Sequence, residues 1–256
     1  MPNDGATAPR PATRPERPSV QNEQQRRAAL AAMGIVEWVP RGQGVEPENS
    51  VLPGPVTEAA PANPEIATLD WPALAQEVSA CRRCGLHQGR TQTVFGVGNR
   101  DADWMIVGEA PGQEEDRKGE PFVGRAGQLL NAMLLALGQP RERVFIANIL
   151  KCRPPNNRDP SAEEAAACAP FLARQIELVA PRIILCVGRI AAQNLLGTAT
   201  PIGKLRGQRH AWGPRQIPVV VTYHPAYLLR SPGEKRRAWQ DLLFARRTLA
   251  ALDDAS

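Results

Sequence analysis

Apolar positions gather into four short β-branched or apolar runs, at 104–107, 144–149, 182–187 and 217–222. Each run leads into a loop and then a stretch with helical spacing, at 126–137, 161–179, 189–196 and 233–249. Ser161 with Glu164 three residues later has the form of a capping box. Gly138 falls where a helix ends on a left-handed residue. Strands alternating with helices predict a parallel sheet covered on both faces. The expected fold class is therefore α/β, a three-layer α/β/α arrangement with a central four-stranded parallel sheet. Ligands of such sheets lie beyond the carboxyl ends of the strands. There the first run enters Gly108-Glu109-Ala110-Pro111-Gly112, the second ends at Asn148 and the fourth enters His224-Pro225. A carboxylate, an amide and an imidazole, far apart in sequence, are thus expected on one rim.

The N-terminal quarter lacks this pattern. Eleven of the 25 prolines fall within residues 1–64. Such a Pro/Ala-rich stretch reads as a largely disordered tail, 1–66, ahead of a domain at 67–252. One apolar island, 24–38, interrupts it. Leu30 and Met33 stand at helical spacing, Gly34 is a helix stop, and Ile35 and Trp38 follow. An exposed Trp with apolar neighbours has the composition of a binding hot spot. Its Arg-Arg, Met-Gly-Ile and Trp pattern is faintly similar to the N-terminal peptide of the clamp-loader psi subunit of bacterial DNA polymerase III. That likeness implies a replication or repair protein as partner. The opposing expectation is that Trp38 folds back onto the chain's own domain.

Charge narrows the partner class. The net charge is +5. Residues 1–70 are net acidic, so the remainder holds more than the whole excess, which suits a polyanion through counterion release. No run of 18 apolar residues suggests a membrane span, and the first residues have no signal-peptide pattern. A cytoplasmic monomer, held near the nucleoid by DNA, is expected. Its five cysteines should be reduced there, so a clustered set reads as metal-binding before disulfides. Cys81 and Cys84 form a C-x-x-C before the first strand, Cys152 follows the second strand, and Cys168 lies in the next helix. Four thiolates from two chain regions suit zinc or a [4Fe–4S] cluster, and spacing alone does not choose. Cys186, inside an apolar run, is expected in the core.

The motifs GEAPGQEED at 108–116, PFVGRAG at 121–127, Asn148 with KCRPPNNR at 151–158, C-x-P-F-L at 168–172, KLRGQ at 204–208 and HPAYLLR at 224–230 follow one another in order. Together, over about 81–249, they resemble the family-4 uracil-DNA glycosylases, the iron–sulfur branch of that superfamily. The resemblance implies a [4Fe–4S] cluster on Cys81, Cys84, Cys152 and Cys168, and uracil-containing DNA, single- or double-stranded, as the substrate. It says nothing of residues 1–66.

Uracil in a duplex must be flipped out to be cut. Phe122, by position a core residue, then becomes its stacking platform. One amide, Asn148, can accept from N3–H and donate to O4. His224 and backbone N–H groups of the Gly108, Ala110 and Gly112 turn are expected to stabilise the departing uracil anion. The better-known branch positions water with an Asp where Ala110 stands, so Glu109 is the expected carboxylate, with Gln113, Glu114, Glu115 and Asp116 as candidates to share its role. Leu228, Leu229 and Arg230 resemble an insertion loop that fills the space of the flipped base, and Lys204 and Arg206 are expected on phosphates. His87 and His210 carry no motif. Two other readings remain: a uracil-trapping protein without turnover, and a zinc-stapled nucleotide binder. The trapping branch has a reactive histidine after the second strand, where this chain has Pro154-Pro155-Asn156-Asn157-Arg158-Asp159.

Overall fold

The computed structural model describes residues 64–253, together with Gln25, 28–31, Met33, Gly34, Val56 and Thr57. Among these, seven strands form one sheet: β1 (Val56–Thr57), β2 (Val97–Gly98), β3 (Trp104–Gly108), β4 (Phe145–Asn148), β5 (Ile183–Val187), β6 (Arg209–Trp212) and β7 (Ile217–Thr222), in the order β1-β6-β7-β5-β3-β4-β2. The centre, β7-β5-β3-β4, is the expected four-stranded parallel sheet. Ile106 pairs with Ile146 on one side and Leu185 on the other, and Leu185 pairs with Val220. Two antiparallel strands, β2 against β4 and β6 against β7, extend the sheet, and β1 adds parallel to β6. These short edges lack the length to show a period in the sequence.

Every residue of the four central strands is buried. Successive side chains point to opposite faces of a sheet, and they divide between two cores here. Met105, Val107, Phe145, Ala147, Ile184, Cys186, Val219 and Val221 belong to one; Trp104, Ile106, Ile146, Ile183, Leu185 and Val220 belong to the other. A sheet buried on both sides explains the continuous apolar runs. The first core is covered by α2 (Trp71–Ala80) and α5 (Ala162–Val179), after a short α1 (Pro64–Ala67). The second is covered by α4 (Arg125–Leu137) and α9 (Lys235–Asp253). Short helices α3 (Gln113–Lys118), α6 (Arg189–Leu195), α7 (Ile202–Leu205) and α8 (Pro225–Arg230) follow strand ends or flank the rim. None of the described helices is long and apolar enough to cross a membrane.

The caps explain the helix bounds. Ser161 Oγ accepts from Glu164 N at 3.2 Å while Glu164 Oε2 accepts from Ser161 N at 2.9 Å, which closes the expected box. Gly138 ends α4 with φ 83°, its N–H donating to the carbonyls of Leu134 and Leu135. Asp70 caps α2 through Ala73 N, with Pro72 in the first turn. Helix α2 had no clear signal in the sequence, yet it buries Leu74 and Val78 and ends directly at Cys81.

The core does not begin at residue 67. Ile66 is buried in the first core, and Ala29, Leu30 and Met33 are buried in the second. The described part of the apolar island therefore packs on the chain's own domain, which departs from a wholly separate tail. The physical reason is that Leu30 and Met33 share one helical face with Ala29, and that face finds an apolar surface in cis. Ile35 and Trp38 lie outside the described residues.

Candidate active site

The carboxyl ends of β3, β4 and β7 open on one pocket of about 780 Å³, lined by Glu109, Phe122, Asn148, Asp159, Arg189, Tyr223 and His224 among others. Glu109, Asn148 and His224 thus share one rim. The ladder between β3 and β4 continues past the strands, with Ile149 N donating to Gly108 O at 2.9 Å and Leu150 N to Glu109 O at 3.0 Å. This fixes Asn148 beside the first-motif turn. Gly108 is required there: a Cβ would stand 2.6 Å from the Phe122 ring and closer still to Asn148 Oδ1. Asn148 is buried, and its Oδ1 has no hydrogen-bond partner among the described residues. A buried unpaired acceptor is costly, and this one belongs to a residue that lines the pocket.

Phe122 has a left-handed backbone, φ 55°, a conformation that costs a bulky residue on the order of 1–3 kcal/mol. Its neighbours hold it. Glu115 Oε1 accepts from Val123 N at 2.9 Å and Gly124 N at 3.0 Å, and Oε2 from Gly112 N at 3.1 Å. From the other side Arg141 donates to Pro121 O at 2.6 Å and Asn131 Oδ1 at 3.3 Å. Gly127 accommodates the Phe122 carbonyl, which a Cβ would overlap. Glu115 is therefore occupied in joining two loops, and Asp116 is buried, accepting from Thr91 N at 2.9 Å; Glu114 pairs with Arg117 outside. None of this was visible in an acidic helix start. Glu115→Gln puts an N–H donor where backbone N–H groups already point. It is expected to lose about 1.5–3 kcal/mol of stability, the scale for a charged hydrogen bond, read in a denaturant melt, with a concurrent fall in catalytic rate.

His224 precedes α8 as its N-cap, and its Nδ1 accepts from Ala226 N at 3.1 Å. That bond leaves the proton on Nε2. Burial first, and then the Arg230 charge, pull the imidazole down to about 4, so it is neutral at pH 7. It lies 5.7 Å from the Phe122 ring, centroid to centroid, and Gly188 lets it approach, since a Cβ there would meet His224 Cβ at 3.0 Å. Glu109 is pushed up to about 7, mainly by burial and further by Asp159, with Arg189 opposing. Arg189 Nη2 donates to Asp159 Oδ2 at 2.7 Å, tying α6 to the loop after β4 across the pocket mouth. Neither Asp159 nor Arg189 had a sequence signal, because their pairing spans two separate elements.

The basic and insertion residues separate into two groups. Lys204, Leu229 and Arg230 are exposed, and Arg230 lines the pocket. Arg206 instead points inward: its Nε donates to Asp241 Oδ2 at 2.7 Å and its guanidinium lies 4.0 Å from the Tyr223 ring centroid. With Nε held by Asp241 and the Tyr223 ring against it, Arg206 is less available to a phosphate than the exposed Lys204 and Arg230. Leu228 is buried in the second core, which corrects its expected place in an insertion loop, because α8 turns it inward and Leu229 outward. His210 is buried with Nε2 against Leu205 O at 2.8 Å, and His87 Nδ1 meets Cys84 O at 2.7 Å; both serve the fold.

Cys81, Cys84, Cys152 and Cys168 surround one small cavity, with Arg90, Lys151 and Phe171 in its wall. Arg90 donates to Cys152 Sγ at 3.0 Å and Lys151 N to Cys168 Sγ at 3.3 Å. Burial pushes the free Cys168 thiol up to about 12 against the pull of Lys151. Among the described residues no three His, Cys, Asp or Glu side chains are grouped as a single metal ion needs. Cys186 lies in the first core, as expected.

Residues 95–243 match the family model of the Uracil DNA glycosylase superfamily. The type-4 uracil-DNA glycosylase of Archaeoglobus fulgidus is 48% identical over 166 residues, 62% of this chain and 83% of the relative. That of Thermotoga maritima is 46% identical over 167 residues, 64% and 85% of the two chains. A type-5 uracil-DNA glycosylase from Thermus thermophilus is 27% identical over 220 residues, 72% of this chain and 100% of the relative. The chain belongs to the uracil-DNA glycosylase superfamily, in its type-4 branch.

Proposed function

We propose that the chain hydrolyses the N-glycosidic bond of uracil in DNA, releasing the free base and leaving an abasic site. The observation that carries this reading is the buried, unpartnered Asn148 Oδ1 in the pocket that Phe122 and His224 also line. A flipped uracil stacks on Phe122. Asn148 accepts from N3–H and donates to O4. Cytosine has no N3–H and carries a donor at its 4-position, so the same amide opposes it, a discrimination on the order of 10⁴-fold. The neutral His224 presents Nε2–H to O2, where charge gathers as the C1′–N1 bond breaks and its electron pair leaves with the base. Backbone N–H groups of the first-motif turn assist, apart from that of Gly112, which Glu115 already holds. Glu109 positions a water that adds its hydroxide to C1′, and the proton that water gives up passes to solvent and finally to the released uracil anion. Leu229 enters the space left by the base, and Lys204 and Arg230 hold phosphates.

The four cysteines line one cavity, a donor set of four thiols that suits the [4Fe–4S] cluster implied by the type-4 branch. Arg90 and the backbone N–H of Lys151 supply hydrogen bonds of the kind that surround cluster sulfurs. When bound, the cluster supplies iron–thiolate cross-links between the end of α2, the loop after β4 and α5.

The test is incubation with uracil-containing DNA, single-stranded and as U:G and U:A duplexes. Free uracil with an alkali-labile abasic strand is expected. A stable protein–DNA adduct without free base would establish the trapping reading instead. The rate should also depend on Glu109. If the carboxylate is the working form, the single-turnover rate rises with pH through about 7 and then levels. Glu109→Gln should remove that limb and lower the plateau by about 10²-fold. A flat wild-type profile across this range would take Glu109 out of the water-positioning role.

A further inference from the structure

Lys151 is 1% exposed, an unusual place for an ammonium. Its Nζ donates to the Asn148 carbonyl at 2.9 Å and to Gln175 Oε1 at 2.6 Å. Gln175 is itself fully buried on α5, and its Nε2 donates to Phe95 O at 2.9 Å. The Lys151 backbone is anchored at both ends, with N donating to Cys168 Sγ at 3.3 Å and O accepting from Val94 N at 2.8 Å. One residue therefore holds the peptide of Asn148 with its side chain and a cysteine of the four-thiol centre with its main chain. A solvated lysine side chain would leave the Asn148 peptide unheld on that side. No ion pair with a carboxylate within 4.0 Å is found for it among the described residues; its Nζ is matched to neutral oxygens in fixed directions.

We propose that Lys151 is a positioning residue for the base-reading amide, carrying the constraint of the cysteine centre onto Asn148. The inference rests on the reading of Asn148 as the uracil reader. The carbonyl of Asn148 is one bond from its Cα, so the Lys151 contact limits rotation of that peptide. The Asn148 side chain has no partner of its own at Oδ1, so its aim depends on its backbone. The cysteine centre thereby sets the register of the pocket as well as stapling the chain.

The test compares Lys151→Met, Gln175→Leu and Asn148→Ala, and each of the first two combined with the third. Metal content per chain, inhibition by free uracil and single-turnover rate at saturating single-stranded uracil-DNA are measured in each. Lys151→Met should retain its metal, bind free uracil more weakly and lower the rate by about tenfold or more, as a small misplacement does. Gln175→Leu should act in the same direction by less. Neither change should slow Asn148→Ala further, since a residue acting through another is non-additive with it. Wild-type rate and uracil inhibition in Lys151→Met, or losses that multiply with those of Asn148→Ala, would overturn the inference. If Lys151→Met does not fold, the same comparisons with Gln175→Leu decide. Wild-type rate in Asn148→Ala would remove the base-reading assignment and this inference together.

Discussion

His224→Ala is expected to slow uracil release by about 10²–10³-fold under single-turnover conditions, the scale for losing one preorganised donor to a developing anion. Two functions disappear in that variant. The Nε2–H donor goes, and so does the cap that Nδ1 provides to Ala226 N. Cap loss alone costs about 0.5–2 kcal/mol of stability and does not act on the reacting atoms. His224→Asn separates the two, because Asn is a good N-cap but too short to reach the base. It should recover the melting temperature and leave the rate low. A rate restored along with stability would show that the imidazole acts only as a cap. Because the ring is neutral down to about 4, its protonation should add no limb to the rate profile between pH 5 and 8, the range in which an ordinary histidine titrates.

The second large effect concerns the cysteine centre. Cys168→Ser, or serine at Cys81, Cys84 or Cys152, should lose the bound metal and about 2–5 kcal/mol of stability, the range for removing a native cross-link. The magnitude follows from what the centre joins: the chain at the end of α2, the loop behind Asn148 and the middle of α5. Cys186→Ser should keep its metal and lose only packing, since Cys186 is buried in the first core on β5. Iron and sulfide analysis beside a thermal melt checks both. A full metal complement in Cys168→Ser would assign the fourth ligand elsewhere.

The parts of the fold visible in the sequence are those set by local physics. Short continuous apolar runs marked the four central strands, and Ser161, Glu164 and Gly138 marked helix ends. The strand-end rule brought Glu109, Asn148 and His224 together without any contact being known. What stayed hidden depends on partners distant in the chain. Arg206 is withdrawn from the surface by Asp241, thirty-five residues later. Leu228 and Leu229 are adjacent in sequence and differ only in which way a short helix turns them. Glu115 reads as one acid among several, and only the approach of Val123 and Gly124 shows what it holds. Edge strands β1, β2 and β6 are defined by their neighbours, so their own composition says little.

The burial of Ala29, Leu30 and Met33 in the second core bears on how the enzyme is handled. Trimming the chain just before α1, which starts at Pro64, would remove three apolar side chains from a packed surface and leave their seat facing water. Exposed apolar patches favour self-association. A trimmed preparation would then differ from the full chain in colloidal behaviour before it differed in catalysis.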